Sequence, residues 1–142
     1  MLKIILILIT LESNGQTYAV GDSGRALGPL QIHKIFVDDV NRILGKRTFT
    51  YKDRTDLHKA AQMASIYLRY YGARYTRKTG LEATPVVLAR IFNGGPNGPF
   101  KASTWKYAKR FKVLYDDRKY NRESSQGRTS RLTRVPDAGA GS

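Results

Sequence analysis

The chain opens on MLKIILILITL, an apolar run interrupted only by Lys3 and Thr10, and any fold it adopts must find a dry place for that run. A helix crossing a bilayer needs about 20 such residues, so the run is too short to span. A secretory leader would be followed by a small-residue cleavage site, whereas Glu12-Ser13-Asn14-Gly15 comes next. The expectation is a buried first helix, with an uncleaved export signal or anchor as the alternative.

Further along, apolar residues recur at helical spacing. Residues 13–28 are rich in Gly, Asn, Asp and Ser and predict turns or a small β-hairpin. Phe36, Val40, Ile43 and Leu44 then fall at i, i+4, i+7 and i+8, one face of a helix from His33 that stops before Gly45. Asp38, Asp39 and Arg42 are expected to face water; adjacent carboxylates on a helix point about 100° apart, which argues against a cation site. His33 is expected to make a local hydrogen bond at the helix start. After a loop over 45–55, Leu57, Ala60, Ala61, Ala64, Leu68 and Tyr71 mark a long helix that Gly72 is expected to bend or end. Tyr67 and Tyr71, one turn apart, read as packing residues. Thr84-Pro85 supplies a capping hydroxyl and a first-turn proline for a short buried helix over 86–92, which Asn93-Gly94-Gly95-Pro96 terminates. Ser103 is expected to cap a last helix with Trp105, Ala108, Phe111 and Leu114 as its apolar stripe. The alternation of a large sheet is absent. The fold class is mainly α: one domain over 1–115, with a small polar loop or hairpin after the first helix, then a basic and mobile tail over 116–142.

Charge narrows the partners. Among 142 residues, 25 Lys and Arg face 11 Asp and Glu, for a net charge of +14; such a field attracts polyanions. Residues 118 to 137 hold six of the bases and two of the acids, so most of the positive excess belongs to the folded body. With no cysteine and two histidines, His33 and His58, a disulfide scaffold, thiolate metal sites and a Cys nucleophile are excluded. No metal or other cofactor is called for, and acid chemistry falls to carboxylates. Glu12 stands where an apolar helix meets a Gly-rich polar loop, a place that is partly dry yet reachable. Burial raises a carboxyl pKa, and a carboxylic acid still protonated near neutral pH is what glycosidic cleavage needs, because the departing alkoxide must be protonated as the bond breaks. A helix-terminal Glu turned to solvent is the bland alternative.

Three blocks change the weight given to Glu12: Glu12-Ser13-Asn14-Gly15, then Gly24-Arg25-Ala26-Leu27-Gly28-Pro29-Leu30-Gln31-Ile32, and later Ile91-Phe92-Asn93-Gly94-Gly95-Pro96. In that order they resemble the lysozyme-like superfamily, most closely the soluble and goose-type lytic transglycosylases. The Gly-Pro-Leu-Gln-Ile form also resembles invertebrate-type lysozymes and destabilases. The resemblance implies a lysozyme-like helical domain in which Glu12 is the general acid, Gln31 lines the sugar cleft, Ser23 supplies a cleft hydroxyl, and Phe92 and Asn93 lie in the opposite wall. Phe92 departs from the transglycosylase pattern, which commonly has Tyr there with its hydroxyl near the catalytic Glu. Asp22, ten residues after Glu12, resembles in placement the second carboxylate of invertebrate-type lysozymes. The implied activity is cleavage of the β-1,4 glycan strands of peptidoglycan, as small basic wall hydrolases of bacteriophages perform it. With help from Asp22 water completes a hydrolysis; without it the sugar's own 6-hydroxyl attacks and leaves an anhydro product. The implied partners are glycan strands and an anionic wall surface, with no integral membrane. A non-catalytic, basic nucleic-acid-binding module is the alternative.

The same residues make sense without any family. Gly28-Pro29 permits close approach of backbone to an inserted sugar, while Gln31 and Asn93 offer paired donors and acceptors to N-acetyl groups and hydroxyls. Ordinary turn and cap chemistry is the competing role for both.

Overall fold

The computed structural model describes residues 1–117; the expectation of a mobile tail falls almost wholly on 118–142, outside the described residues. The apolar opening run forms α1 (Leu2–Ser13), and Ile4, Ile5, Ile7 and Leu8 are buried. Its start is clamped to the far end of the fold: the Lys3 ammonium donates to the Tyr115 carbonyl at 2.7 Å and lies 3.8 Å from the centre of that residue's ring. Among the described residues no helix is long and apolar enough to cross a membrane.

After α1 the chain makes the expected hairpin, with β1 (Val20–Gly21) antiparallel to β2 (Ala26–Leu27). A second reversal through Gly28 to Gln31 brings Ile32 back against Leu27. Glycine is required at position 28: its φ is +86°, and an added Cβ would lie 1.8 Å from the Arg54 carbonyl oxygen. Arg54 is itself buried. Its guanidinium donates to the carbonyls of Tyr51, Arg25 and Ile32 at 2.8, 3.2 and 3.1 Å, so it ties the hairpin to the Tyr51–Thr55 3-10 turn. Carbonyl acceptors without a carboxylate leave burial dominant, and the Arg54 pKa is lowered.

Helix α2 (Lys34–Leu44) ends at Gly45 in the left-handed conformation, as the sequence predicts. Helix α3 (Leu57–Thr79) starts on an Asp56 cap and continues through Gly72. The glycine does not end it; it makes room for α4 (Pro85–Gly94), because a Cβ at Gly72 would meet a Leu88 methyl at 2.8 Å. Thr84 caps α4 and Pro85 occupies its first turn, as expected.

Helix α5 (Trp105–Tyr115) departs from expectation at its start. Ser103 does not cap it; the chain enters through a 3-10 turn, Ala102–Thr104, and no side chain caps the helix. The Thr104 hydroxyl is committed elsewhere, accepting from Arg90 Nε at 2.7 Å and donating toward the Gly98 carbonyl at 2.8 Å. The buried stripe is Tyr107, Ala108 and Phe111, and Trp105 is instead 52% exposed and lies over the buried Arg90 guanidinium, which is 3.8 Å from its ring centre. The core joins Ile7 and Leu8 of α1, Met63 and Leu68 of α3, Ile91 of α4 and Phe111 of α5, all fully buried. Helix α1 thus sits amid α3, α4 and α5, the place for a helix that is apolar nearly all round.

Candidate active site

The end of α1 faces the hairpin across a cavity of about 860 Å³. Glu12, Asp22, Gln31, Phe92 and Asn93 all line it, so four separate parts of the chain meet there. Ser23 does not join them. It is exposed at the hairpin tip, in the Asp22–Gly24 3-10 turn.

Glu12 is half-buried, and burial raises its pKa above the ordinary 4.5. Two groups oppose that rise: the Tyr107 hydroxyl donates to Glu12 Oε1 at 2.6 Å, and the Arg110 charge lies nearby. Tyr107 is only 8% exposed, and its own pKa is raised by burial and by the adjacent carboxyl group. The position of Glu12 is further fixed by its neighbour. Ser13 donates to the Pro29 carbonyl at 2.7 Å and accepts from the Gly15 amide at 3.1 Å, joining the last turn of α1 to the Gly28–Gln31 reversal.

Gln31 faces the cavity but spends its amide hydrogens on the hairpin, donating to the Ala19 and Gly28 carbonyls, each at 2.9 Å. Its Oε1 lies so close to Gly21 that a Cβ there would come within 2.2 Å. Asp22, Ser23 and Gln31 all hold left-handed φ angles of 48°, 55° and 49°, a conformation that costs a non-glycine residue about 1–2 kcal/mol. Backbone strain is therefore concentrated around this cavity.

Asp22 is partly exposed and pairs with Arg25 at 3.1 Å and with His33 Nε2 at 3.3 Å. His33 begins α2 without capping it; its side chain reaches back to the hairpin, a link that a local helix-start role did not foresee. Asp39 is not on a solvated face. It accepts from Arg42 Nε and Nη2 at 2.9 and 2.7 Å and takes a short hydrogen bond from the Tyr71 hydroxyl, while Asp38 accepts from Tyr51 at 2.9 Å. Asp38, Asp39 and Arg42 all line the cavity. An aromatic wall completes it: Phe36 stacks on Tyr67 with ring centres 4.1 Å apart and meets Phe92 edge-on at 5.8 Å. Among the described residues no group of three or more His, Asp or Glu side chains is placed to hold a metal ion.

Family models, curated proteins and solved structures give no match to this chain. The chemistry therefore has to be argued from the site itself. Two carboxyl groups, Glu12 and Asp22, share one cavity but differ in surroundings: one is half-buried under a phenol, the other is exposed and lies against Arg25 and the His33 imidazole. The sequence reading missed Tyr107, 95 residues from Glu12. Its helical spacing to Phe111 was visible, but Trp105 fitted an apolar stripe about as well.

Proposed function

We propose that the protein is a lysozyme-like glycosidase that cleaves the β-1,4 glycan strands of bacterial peptidoglycan, with Glu12 as general acid. The observation that carries this reading is the half-buried Glu12 carboxyl group, lining an open cavity with its pKa raised and one oxygen held by Tyr107. The three ordered sequence blocks agree with it.

A glycan strand lying in the cavity presents a glycosidic oxygen to Glu12. With Oε1 fixed by the phenol, the other carboxyl oxygen carries the transferable proton, and the bond to the anomeric carbon breaks as that proton moves. The oxocarbenium-like centre is then met by water, with Asp22 as its base, or by Asp22 itself as nucleophile. A separation of about 6.5–9.5 Å between the carboxyl groups leaves room for the water, and about 5–5.5 Å suits a covalent intermediate. Asn93 and the Phe36, Phe92 and Tyr67 rings offer polar and flat contacts to the sugars. Lytic transglycosylation is the variant in which Glu12 turns base and the 6-hydroxyl attacks; the presence of Asp22 in the same cavity favours water. The cavity lining carries Glu12, Asp22, Asp38 and Asp39 against Arg42 and His33, which disfavours a nucleic acid strand there.

The test is clearing of a purified peptidoglycan suspension by the wild type and by Glu12→Gln. Loss of clearing in a folded variant supports the reading, and equal clearing by both rejects Glu12 as the acid.

A further inference from the structure

Residues 69–112 contain ten Lys and Arg and one acid, Glu82. Nine of those ten bases are exposed; Arg90 is buried. Lys112 pairs with Asp116 at 2.7 Å, and the Arg110 charge lies near Glu12. Earlier in the chain, Arg25, Arg42 and Lys59 each have an Asp partner. Glu12, Asp22, Asp38 and Asp39 line the cleft, and the excess of positive charge lies on the end of α3 and on α5.

These cations form a connected line. Lys78 Nζ lies 4.8 Å from the centre of the Phe100 ring, which is 54% exposed. Lys101 follows, and its carbonyl accepts from Arg90 Nη2 at 2.9 Å. Trp105, half exposed, lies over the buried Arg90 guanidinium, and Lys109 stands one turn further along the outward side of α5. Like charges at this density repel one another within the ~10 Å screening length of ordinary salt, and little in the described chain offsets them.

We propose that this line, Lys78, Phe100, Lys101, Trp105 and Lys109, is a docking surface for a phosphodiester polymer of the bacterial wall, separate from the cleft. A phosphodiester chain supplies the missing counter-charge and gains affinity by releasing its own condensed counterions. Phe100 has Lys78 over its ring and Tyr75 beside it with ring centres 5.9 Å apart. That ring holds Lys78 in place, and the exposed ammonium groups of the line read phosphate. The choice of a wall polymer rests on the glycosidase reading, whereas the binding of phosphodiester does not.

The experiment titrates the full chain with purified poly(glycerol phosphate), and separately with a single-stranded oligonucleotide of equal phosphate number, at 50 and at 200 mM salt. The variant Lys78→Gln/Lys101→Gln/Lys109→Gln is compared with Lys46→Gln/Arg47→Gln/Lys52→Gln, which removes equal charge from an exposed region elsewhere; circular dichroism checks that both are folded. The expected result is polymer binding that weakens at least tenfold in the first variant and less than threefold in the second. In the first variant the slope of log affinity against log salt should also flatten by about 2, from the ~0.7–0.9 that each phosphate contact contributes. No polymer binding, equal loss in both variants, or tighter binding of the oligonucleotide overturns the proposal. Turnover is not measured, so failure of the glycosidase reading appears only in the clearing assay and failure of this proposal only in the titration.

Discussion

Tyr107→Phe removes one oxygen and leaves the buried ring in place. The lost hydroxyl is 2.6 Å from Glu12 Oε1, the length of a charge-assisted bond to a carboxylate. A hydrogen bond to a charged group contributes about 1.5–3 kcal/mol and one to a neutral group about 0.5–1.5, so the phenol favours ionised Glu12 over protonated Glu12 by about 1–1.5 kcal/mol. Its removal raises the Glu12 pKa further. At a pH where Glu12 is mostly ionised, the protonated fraction should grow about five- to tenfold. Glu12 works in its protonated form, so the falling, alkaline side of the pH profile of peptidoglycan clearing should move to higher pH. The maximum rate should drop, because the carboxyl group is held less firmly. Titration of the Glu12 carboxyl carbon by NMR in wild type and Tyr107→Phe gives the same comparison without turnover. An alkaline limb that stays in place or moves to lower pH, in a variant with wild-type circular dichroism, refutes the assignment of both residues.

Glu12→Gln should be inactive yet more stable near neutral pH. The folded protein holds the Glu12 proton more tightly than the unfolded chain does, so stability present below pH 4.5 is lost as pH rises through the higher folded value; denaturant unfolding should show the variant's advantage at pH 7 and none at pH 3. Asp22→Asn should lower the rate by about 10²–10⁴-fold if Asp22 is the base for water, with residual product shifted toward anhydro ends; an unchanged rate removes Asp22 from the chemistry. Gly28→Ala should destabilise the fold by more than about 2 kcal/mol, from the left-handed backbone and from the 1.8 Å approach to the Arg54 carbonyl, measured by urea unfolding. Gly72→Ala should cost about 1–3 kcal/mol by forcing Leu88 aside; a neutral result would contradict the close packing of α3 on α4.

Local chemistry was legible in the sequence, and long-range partners were not. Gly45, Thr84-Pro85 and the 3.6-residue repeat of Phe36, Val40 and Ile43 depend on residues close in the chain, so the helices they predict are present. The polar segment after α1 was readable as a hairpin for the same reason. Gly72 misled because a glycine within a helix signals a break or a close neighbour equally, and the neighbour, Leu88, belongs to another helix. Trp105 misled because an apolar stripe does not record that the indole will lie outside, over a buried arginine of another helix. At the candidate site, the block order brought Glu12, Asp22, Gln31 and Asn93 to one cavity. Ser23 lies outside the lining of that cavity, because the order of blocks along the chain does not record which side chain of a tight turn faces inward. Asp39 was assigned to water because α2 seen alone is amphipathic, and the phenol of Tyr71 that meets it comes from α3.

The most direct measurement is mass spectrometry of the soluble fragments released from purified peptidoglycan by the wild type and by Glu12→Gln. Muropeptides with reducing ends from the wild type, and none from the variant, are the expected result. Anhydro ends would move the second step from water to the 6-hydroxyl while keeping Glu12 as the acid; release of no fragment by the wild type, or the same fragments from both proteins, contradicts the account.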